Sequence, residues 1–267
     1  MVDVGRGRLA ADVFGPLDAP PALLIAGGGA DAASWVRLVP ETAHDEADRI
    51  SSAPLRRSLA ADHRVAVFDQ AGTGRSAEVD PADSAARYAD DALAVGTALL
   101  GERFFVVGMS LGGMAAQHVA LRSPESVRGL ILVSTIAAAS TFVASVPTED
   151  VPVERRSFAD HFPESHPELF VHLAVRAGRT QYHSEAELAQ VAIFLSHEVS
   201  GALDSIRCPT TVVCGREDRT FPVQNSQQLA EAIPAARLVE LDRVGHAVHF
   251  EAPGSIADAV VHVVAEH

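Results

Sequence analysis

This sequence predicts an α/β fold: a mostly parallel sheet with helices on both faces and one helical insertion. Three observations predict it. Short apolar runs alternate with longer amphipathic ones along the chain. Each short run is continuously apolar rather than alternating, as in parallel strands buried on both faces. The alternation breaks once, between about Ile136 and Ile206, where no strand-like run occurs.

The expected strands are PALLIA (21–26), HRVAVFD (63–69), RFFVVGM (103–109), VRGLILVS (127–134), PTTVVCG (209–215) and ARLVELD (236–242). Helical patterns fill the gaps at Asp83–Leu100, Gly112–Arg122, Pro222–Ile233 and Pro253–Ala265. Alternating strands and helices are the signature of a parallel sheet covered on both sides. The break reads as several helices, including HPELFVHLAVRAG (166–178) and SEAELAQVAIFLSHEV (184–199). Such an insertion between two strands, at the edge where open sheets bind ligands, makes a helical cap. The expected organisation is therefore a core of residues 1–135 and 207–267 with a cap at 136–206. A charged, turn-rich stretch at 40–58 reads as a loop or frayed helix.

Composition narrows the partners. Of 267 residues, 48% are hydrophobic and 21% charged, enough for one large buried core. The formal net charge of −14 disfavours nucleic acid and anionic membrane surfaces. All 21 basic residues are Arg, so lysine Schiff-base chemistry is excluded. No apolar run approaches the ~18–20 residues of a membrane span. The N-terminal MVDVGRGRLAADVFG lacks the apolar core of a secretory leader, so a cytoplasmic location is expected. Cys208 and Cys214 lie on one predicted strand, six steps or ~20 Å apart, too far to bridge each other. They read as buried thiols. No His or Cys spacing suggests a metal, and no cofactor is expected.

Chemistry points to one serine. Gly108-Met109-Ser110-Leu111-Gly112 fits G-x-S-x-G, with a strand before it and a helix after it. The turn is tight, and side chains at 108 and 112 would collide, hence glycine. It lifts the Ser110 hydroxyl clear of the sheet and leaves the Leu111 N–H at a helix N-terminus, where it can bind a developing oxyanion. A serine nucleophile needs a base, and the base an orienting acid. This motif predicts the chain order Ser, acid, His. Asp218, in CGREDRTFP, follows one predicted strand; His246, in DRVGHAVHFEAP, follows the next. Glu217 should point away from its neighbour, and Asp242 should pack against its loop. His249 reads as a helix or core residue, and His118 as structural.

A second oxyanion donor should come from AGGGADAASW (26–35), with Gly28 first and Gly29 next. The loop fits neither a P-loop nor G-x-G-x-x-G. Gly29, Trp35, Met109, Phe142 and Phe158 are the candidate substrate contacts. Phe142, Phe158, Phe162, Phe170 and Phe194 could form an apolar ceiling, or could simply glue the cap to the core.

Taken together, the Gly loop with Trp35, FDQAGTGRS (68–76), GMSLGG (108–113), CGREDRTFP (214–222) and GHAVHFEAP (245–253) resemble the α/β-hydrolase family. The resemblance implies an eight-stranded, mostly parallel sheet with a cap over a Ser110–His246–Asp218 triad. The chain departs from the common His-Gly at the oxyanion loop, with Ala26-Gly27 there. DQAGTGRS is similar to a run in proline iminopeptidases, and the His-less triple-Gly loop to methylesterases of aromatic polyketides.

Fold does not fix the reaction. Ser110 excludes a dehalogenase, which needs a carboxylate there, and Leu111 disfavours a cofactor-free perhydrolase. The expected activity is hydrolysis of an ester, lactone or thioester bond in a small, largely apolar substrate. The alternatives are a lyase or cyclase on the same fold, a proline-iminopeptidase-like peptidase, and a ligand-binding protein with a dead site. The oligomeric state is left open, a homodimer among the options.

Overall fold

A computed structural model describes residues 1–28, 59–145, 155–177 and 184–266. The first strands are short: β1 (Val2–Asp3), β2 (Arg8–Leu9) and β3 (Ala11–Phe14). Then follow β4 (Pro21–Ile25), β5 (Arg64–Phe68), α1 (Ala85–Leu100), β6 (Phe104–Met109), α2 (Leu111–Arg122) and β7 (Val127–Val133). Between β7 and β8 lie α3 (Phe162–Ser165), α4 (Pro167–Ala177) and α5 (Ser184–Ser196). The chain closes with β8 (Thr210–Gly215), α6 (Val223–Ala232), β9 (Arg237–Leu241), α7 (Val248–Glu251) and α8 (Pro253–Ala265).

All six expected strands and all four expected core helices form, with shifts of one or two residues at their ends. The main sheet runs β3-β5-β4-β6-β7-β8-β9, with β3 antiparallel to β5 and the other pairings parallel. It has seven strands among the described residues, one fewer than the resemblance implies. β1 and β2 pair with each other instead, Val2 opposite Leu9. A two-residue strand cannot reach across to extend the large sheet. The stretch at 40–58, Gly29 and Trp35 lie outside the described residues.

Why the central strands are apolar throughout is visible in their side chains. Leu23, Val106, Leu130, Leu132 and Val212 pack on one face, among α1 and α2 residues such as Tyr88, Val95, Met114 and Val119. Leu24, Val107, Ile131, Val133 and Val213 pack on the other, against Ile256, Val260 and Val263 of α8. Adjacent residues point to opposite faces, and both faces are covered. Cys208 and Cys214 are both free thiols, as their spacing predicts. Among the described residues no helix is long and apolar enough to cross a membrane.

The FDQAGTGRS run forms a braced turn after β5. Arg75 donates from its backbone N–H and Nε to Asp69 Oδ2, at 2.8 and 2.9 Å, and from Nη2 to Asp12 on β3 at 2.6 Å. The edge strand is thereby tied to the exit of β5.

The strand order makes a differential prediction. Leu132 is fully buried on the inner strand β7, whereas Val13 on the edge strand β3 is 38% exposed. Leu132→Ala should cost about 2–5 kcal/mol by cavity formation. Val13→Ala should stay within about 0.5 kcal/mol. Urea denaturation of the two variants measures the difference.

Candidate active site

The site begins where β6 turns into α2. Ser110 occupies that turn with φ 51 and ψ −120, a left-handed conformation rare for a residue with a side chain. Three bonds hold it there. Its N–H continues the sheet to Val133 O at 2.9 Å, its carbonyl accepts from Gly113 N at 2.9 Å, and Thr135 Oγ1 donates to that carbonyl at 2.7 Å. Space is the second constraint. A Cβ at Gly108 would lie 2.6 Å from Ala116 Cβ, and one at Gly112 would lie 2.6 Å from Ile25 C, with carbonyl oxygens closer still. Both flanking glycines are therefore required by close backbone approach. Leu111 opens α2, so its N–H is among those that have no partner within the helix.

The end of β4 runs beside this turn. Tyr88, fully buried on α1, donates its hydroxyl to Ala26 O at 2.9 Å and fixes the start of the glycine loop. A Cβ built on Gly27 would lie 3.2 Å from Ser110 Cβ. One on Gly28 would lie 3.7 Å from Leu111 Cδ2 and 3.3 Å from Gln190 Oε1. Gly28 thus sits near the Leu111 side chain, and α5 brings Gln190 to the same place. Nothing in the sequence singled out Gln190.

Asp218 and His246 meet. The loop after β8 carries Asp218 and the loop after β9 carries His246, with His246 Nδ1 2.8 Å from Asp218 Oδ2. The other carboxylate oxygen, Oδ1, accepts from Thr220 N and Phe221 N, each at 2.8 Å. Against a carboxylate oxygen Nδ1 is the donor, which leaves Nε2 as the ring nitrogen free for another partner. Both side chains are buried. The Phe221 ring meets the imidazole edge to face, with centres 5.3 Å apart. Among the described residues no hydrogen bond joins Ser110 Oγ to His246; such contacts commonly tighten only with substrate bound.

The rivals go elsewhere. Glu217 Oε2 accepts from Asp160 N at 3.1 Å, and Asp242 pairs with Arg216 at 2.6 Å. His249 is buried in α7, its ring 3.9 Å from that of Phe250. His118 packs on His197, with ring centres 5.5 Å apart, and burial lowers the pKa of both.

The candidate wall residues divide. Met109 is buried at the end of β6 in the core. Phe142 packs on Phe194 and Phe221 at 5.4 and 5.7 Å between ring centres. Phe158 stacks on Phe162 at 4.8 Å and meets Phe170 edge-on. The aromatic residues between β7 and β8 thus do glue that segment to the core.

A family described as "alpha/beta hydrolase fold" matches residues 20–253. The chain belongs to that family. It is 30% identical over 224 residues to "Putative carbamate hydrolase RutD" of Rhizobium rhizogenes, covering 78% of this chain and 85% of that one. The protein of the same name from Agrobacterium fabrum is 28% identical over 251 residues, covering 88% and 89%. Among solved structures, a thermophilic esterase from Thermogutta terrifontis superposes with TM-score 0.76 at 22% identity, covering 97% of this chain and 93% of that one. The structure titled "Est816 as an N-Acyl homoserine lactone degrading enzyme" gives 0.75 at 23%, covering 95% and 96%. At these identities the solved structures bear on the fold alone. The chain is a hydrolase of the α/β type.

The elbow's support can be tested apart from catalysis. Thr135→Val removes the 2.7 Å hydroxyl bond to Ser110 O but keeps the shape of the side chain. It should lower stability by about 0.5–1.5 kcal/mol in thermal or urea melts.

Proposed function

We propose that this chain is a serine hydrolase cleaving an ester-type bond of a small, largely apolar substrate through an acyl-enzyme. The observation that carries this reading is the 2.8 Å His246–Asp218 bond, formed by loops at the same sheet edge as the strained Ser110. In this reading His246 Nε2 takes the Ser110 hydroxyl proton as Oγ attacks the substrate carbonyl. The N–H groups of Leu111 and Gly28 bind the oxyanion. The tetrahedral intermediate expels the alcohol, lactone oxygen or thiol, which takes the proton from His246. A water then gives its proton to His246 and attacks the acyl carbon, releasing the acid and restoring Ser110. Asp218 holds the tautomer and stabilises the imidazolium.

Residues 136–206 act as a cap in this reading. α5 brings Gln190 beside Gly28, and Phe194 of the same helix packs on Phe221, which touches His246. Phe142, Phe158 and, outside the described residues, Gly29 and Trp35 are its proposed substrate contacts, with Met109 buried in the core just before Ser110. The proposed substrate is a neutral small molecule, and the proposed site of action is the cytoplasm.

A second reading is favoured by the relatives named for carbamate hydrolysis. A carbamate presents the same carbonyl to Ser110, with nitrogen on the acyl side. Comparing kcat/KM for matched p-nitrophenyl esters and carbamates separates the two.

Fluorophosphonate treatment followed by intact mass should give one adduct on the native protein and none on Ser110→Ala or His246→Ala. Asp218→Asn should lower kcat by about 10⁴-fold, because the imidazole then loses its correct tautomer. A well-folded native protein that takes no adduct would sink the serine-hydrolase reading.

A further inference from the structure

His246 is aimed by more than Asp218. The residue before it, Gly245, donates its N–H to Glu251 Oε1 at 3.0 Å. The other oxygen, Oε2, accepts from Ala159 N at 2.9 Å, 92 residues away in the chain. One half-buried carboxylate therefore joins the His246 loop to the segment that precedes α3. That segment docks there at three further points. Ala247 donates to Ser157 O at 2.8 Å, Asp160 N donates to Glu217 Oε2 at 3.1 Å, and Arg219 pairs with Asp160 at 2.7 Å. The fit is close: a Cβ on Gly245 would lie 2.6 Å from both Ala159 N and Phe158 C. Glu251 itself is set by α7, five residues after His246.

We propose that Glu251 is a positioning residue for the base: its carboxylate clamps Gly245 and Ala159 together and so fixes where the His246 imidazole sits. The proposal rests on His246 acting as the base. A carboxylate accepts strongly on both oxygens, whereas the hydroxyl oxygen of a protonated carboxyl is a weaker acceptor. The clamp is therefore tightest in the ionised form. The groups facing Glu251 oppose that form. Burial raises its pKa most and outweighs the two N–H bonds, and Glu217 and Asp218 from the loop after β8 add a smaller repulsion, so the carboxyl is pushed up to about 7. Nearby, the Asp160 charge is compensated by Arg219, His246 follows Gly245 directly, and His249 lies on Glu251's own helix.

Stability and positioning then run in opposite directions with pH. The folded-state pKa is raised from 4.5 to about 7, so this group's contribution to stability is full below 4.5 and is lost as pH rises through 7. The clamp, by contrast, is tightest above that pH. A residue with a purely structural role would not separate the two.

The test compares native protein with Glu251→Gln and His246→Ala. Gln offers one acceptor and turns its amide group toward the other N–H. Glu251→Gln should lower kcat about ten- to a hundredfold on the alkaline plateau, with KM changed less than about twofold. The acid limb of kcat/KM should contain two ionisations in native protein and one in Glu251→Gln. Should that variant fail to fold, the amide shifts of Gly245 and Ala159 in native protein decide, and they should titrate together near 7. A folded Glu251→Gln with native kcat and a native pH profile overturns the proposal, as do amides that do not move together. The two readings fail separately. An active His246→Ala removes the triad itself, whereas an inactive His246→Ala beside a fully active Glu251→Gln removes only the role of Glu251.

Discussion

Backbone crowding at the β6–α2 turn is the constraint on which the candidate site depends. The β4 carbonyls at Ile25 and Ala26 run so close to α2 that a methyl group at position 112 has no room. α2 can lie that near the sheet only because Gly108, Gly112 and Gly113 carry no side chains. Ser110 must then turn through a left-handed conformation, at a cost of order 1–3 kcal/mol. The bonds to Val133 O, Gly113 N and Thr135 Oγ1 offset that strain, and the Tyr88 hydroxyl keeps the β4 end in register beside it. What results is a half-buried hydroxyl next to the open N-terminus of a helix, without any charged side chain spent on it.

The second half of the site is built differently. Asp218 and His246 come from loops after neighbouring parallel strands, and parallel pairing puts both at one sheet edge. Backbone bonds knit these loops together: Arg216 N to Leu241 O at 3.0 Å and Glu217 N to Val244 O at 2.9 Å. The Asp218 carboxylate is saturated on one oxygen by two backbone N–H groups, leaving the other for the imidazole. The Ser110 side is thus set by steric exclusion and the Asp218–His246 side by hydrogen bonds.

Much of this was legible in the sequence, for identifiable reasons. Strands buried on both faces need continuous apolar runs, so β4 to β8 stood out. The elbow was legible because its glycines are demanded by geometry. Asp218 and His246 were legible because each follows a strand by a short loop. β1 to β3 were not, since strands of two to four residues have no period to read. Thr135 and Tyr88 were not, because each acts on a backbone carbonyl far away in sequence. Glu251 was hidden for the same reason: both its partners are backbone N–H groups, which no side-chain pattern records.

The segment between β7 and β8 is coupled to Asp218 and His246 by packing as well as by polar bonds. Phe221 lies three residues past Asp218 and lends its N–H to that carboxylate. Its ring meets His246 edge to face, and it also stacks on Phe194 of α5 at 6.0 Å and meets Phe142 at 5.7 Å. One side chain therefore touches the imidazole, the acid's own loop and the helical excursion. Close-packed interiors transmit small displacements rather than absorbing them. A shift of α5 relative to the sheet would reach the imidazole through Phe221, while Glu251 of α7 holds the backbone just before His246. The aromatic residues that glue the excursion to the core are for that reason part of what determines where the His246 imidazole sits.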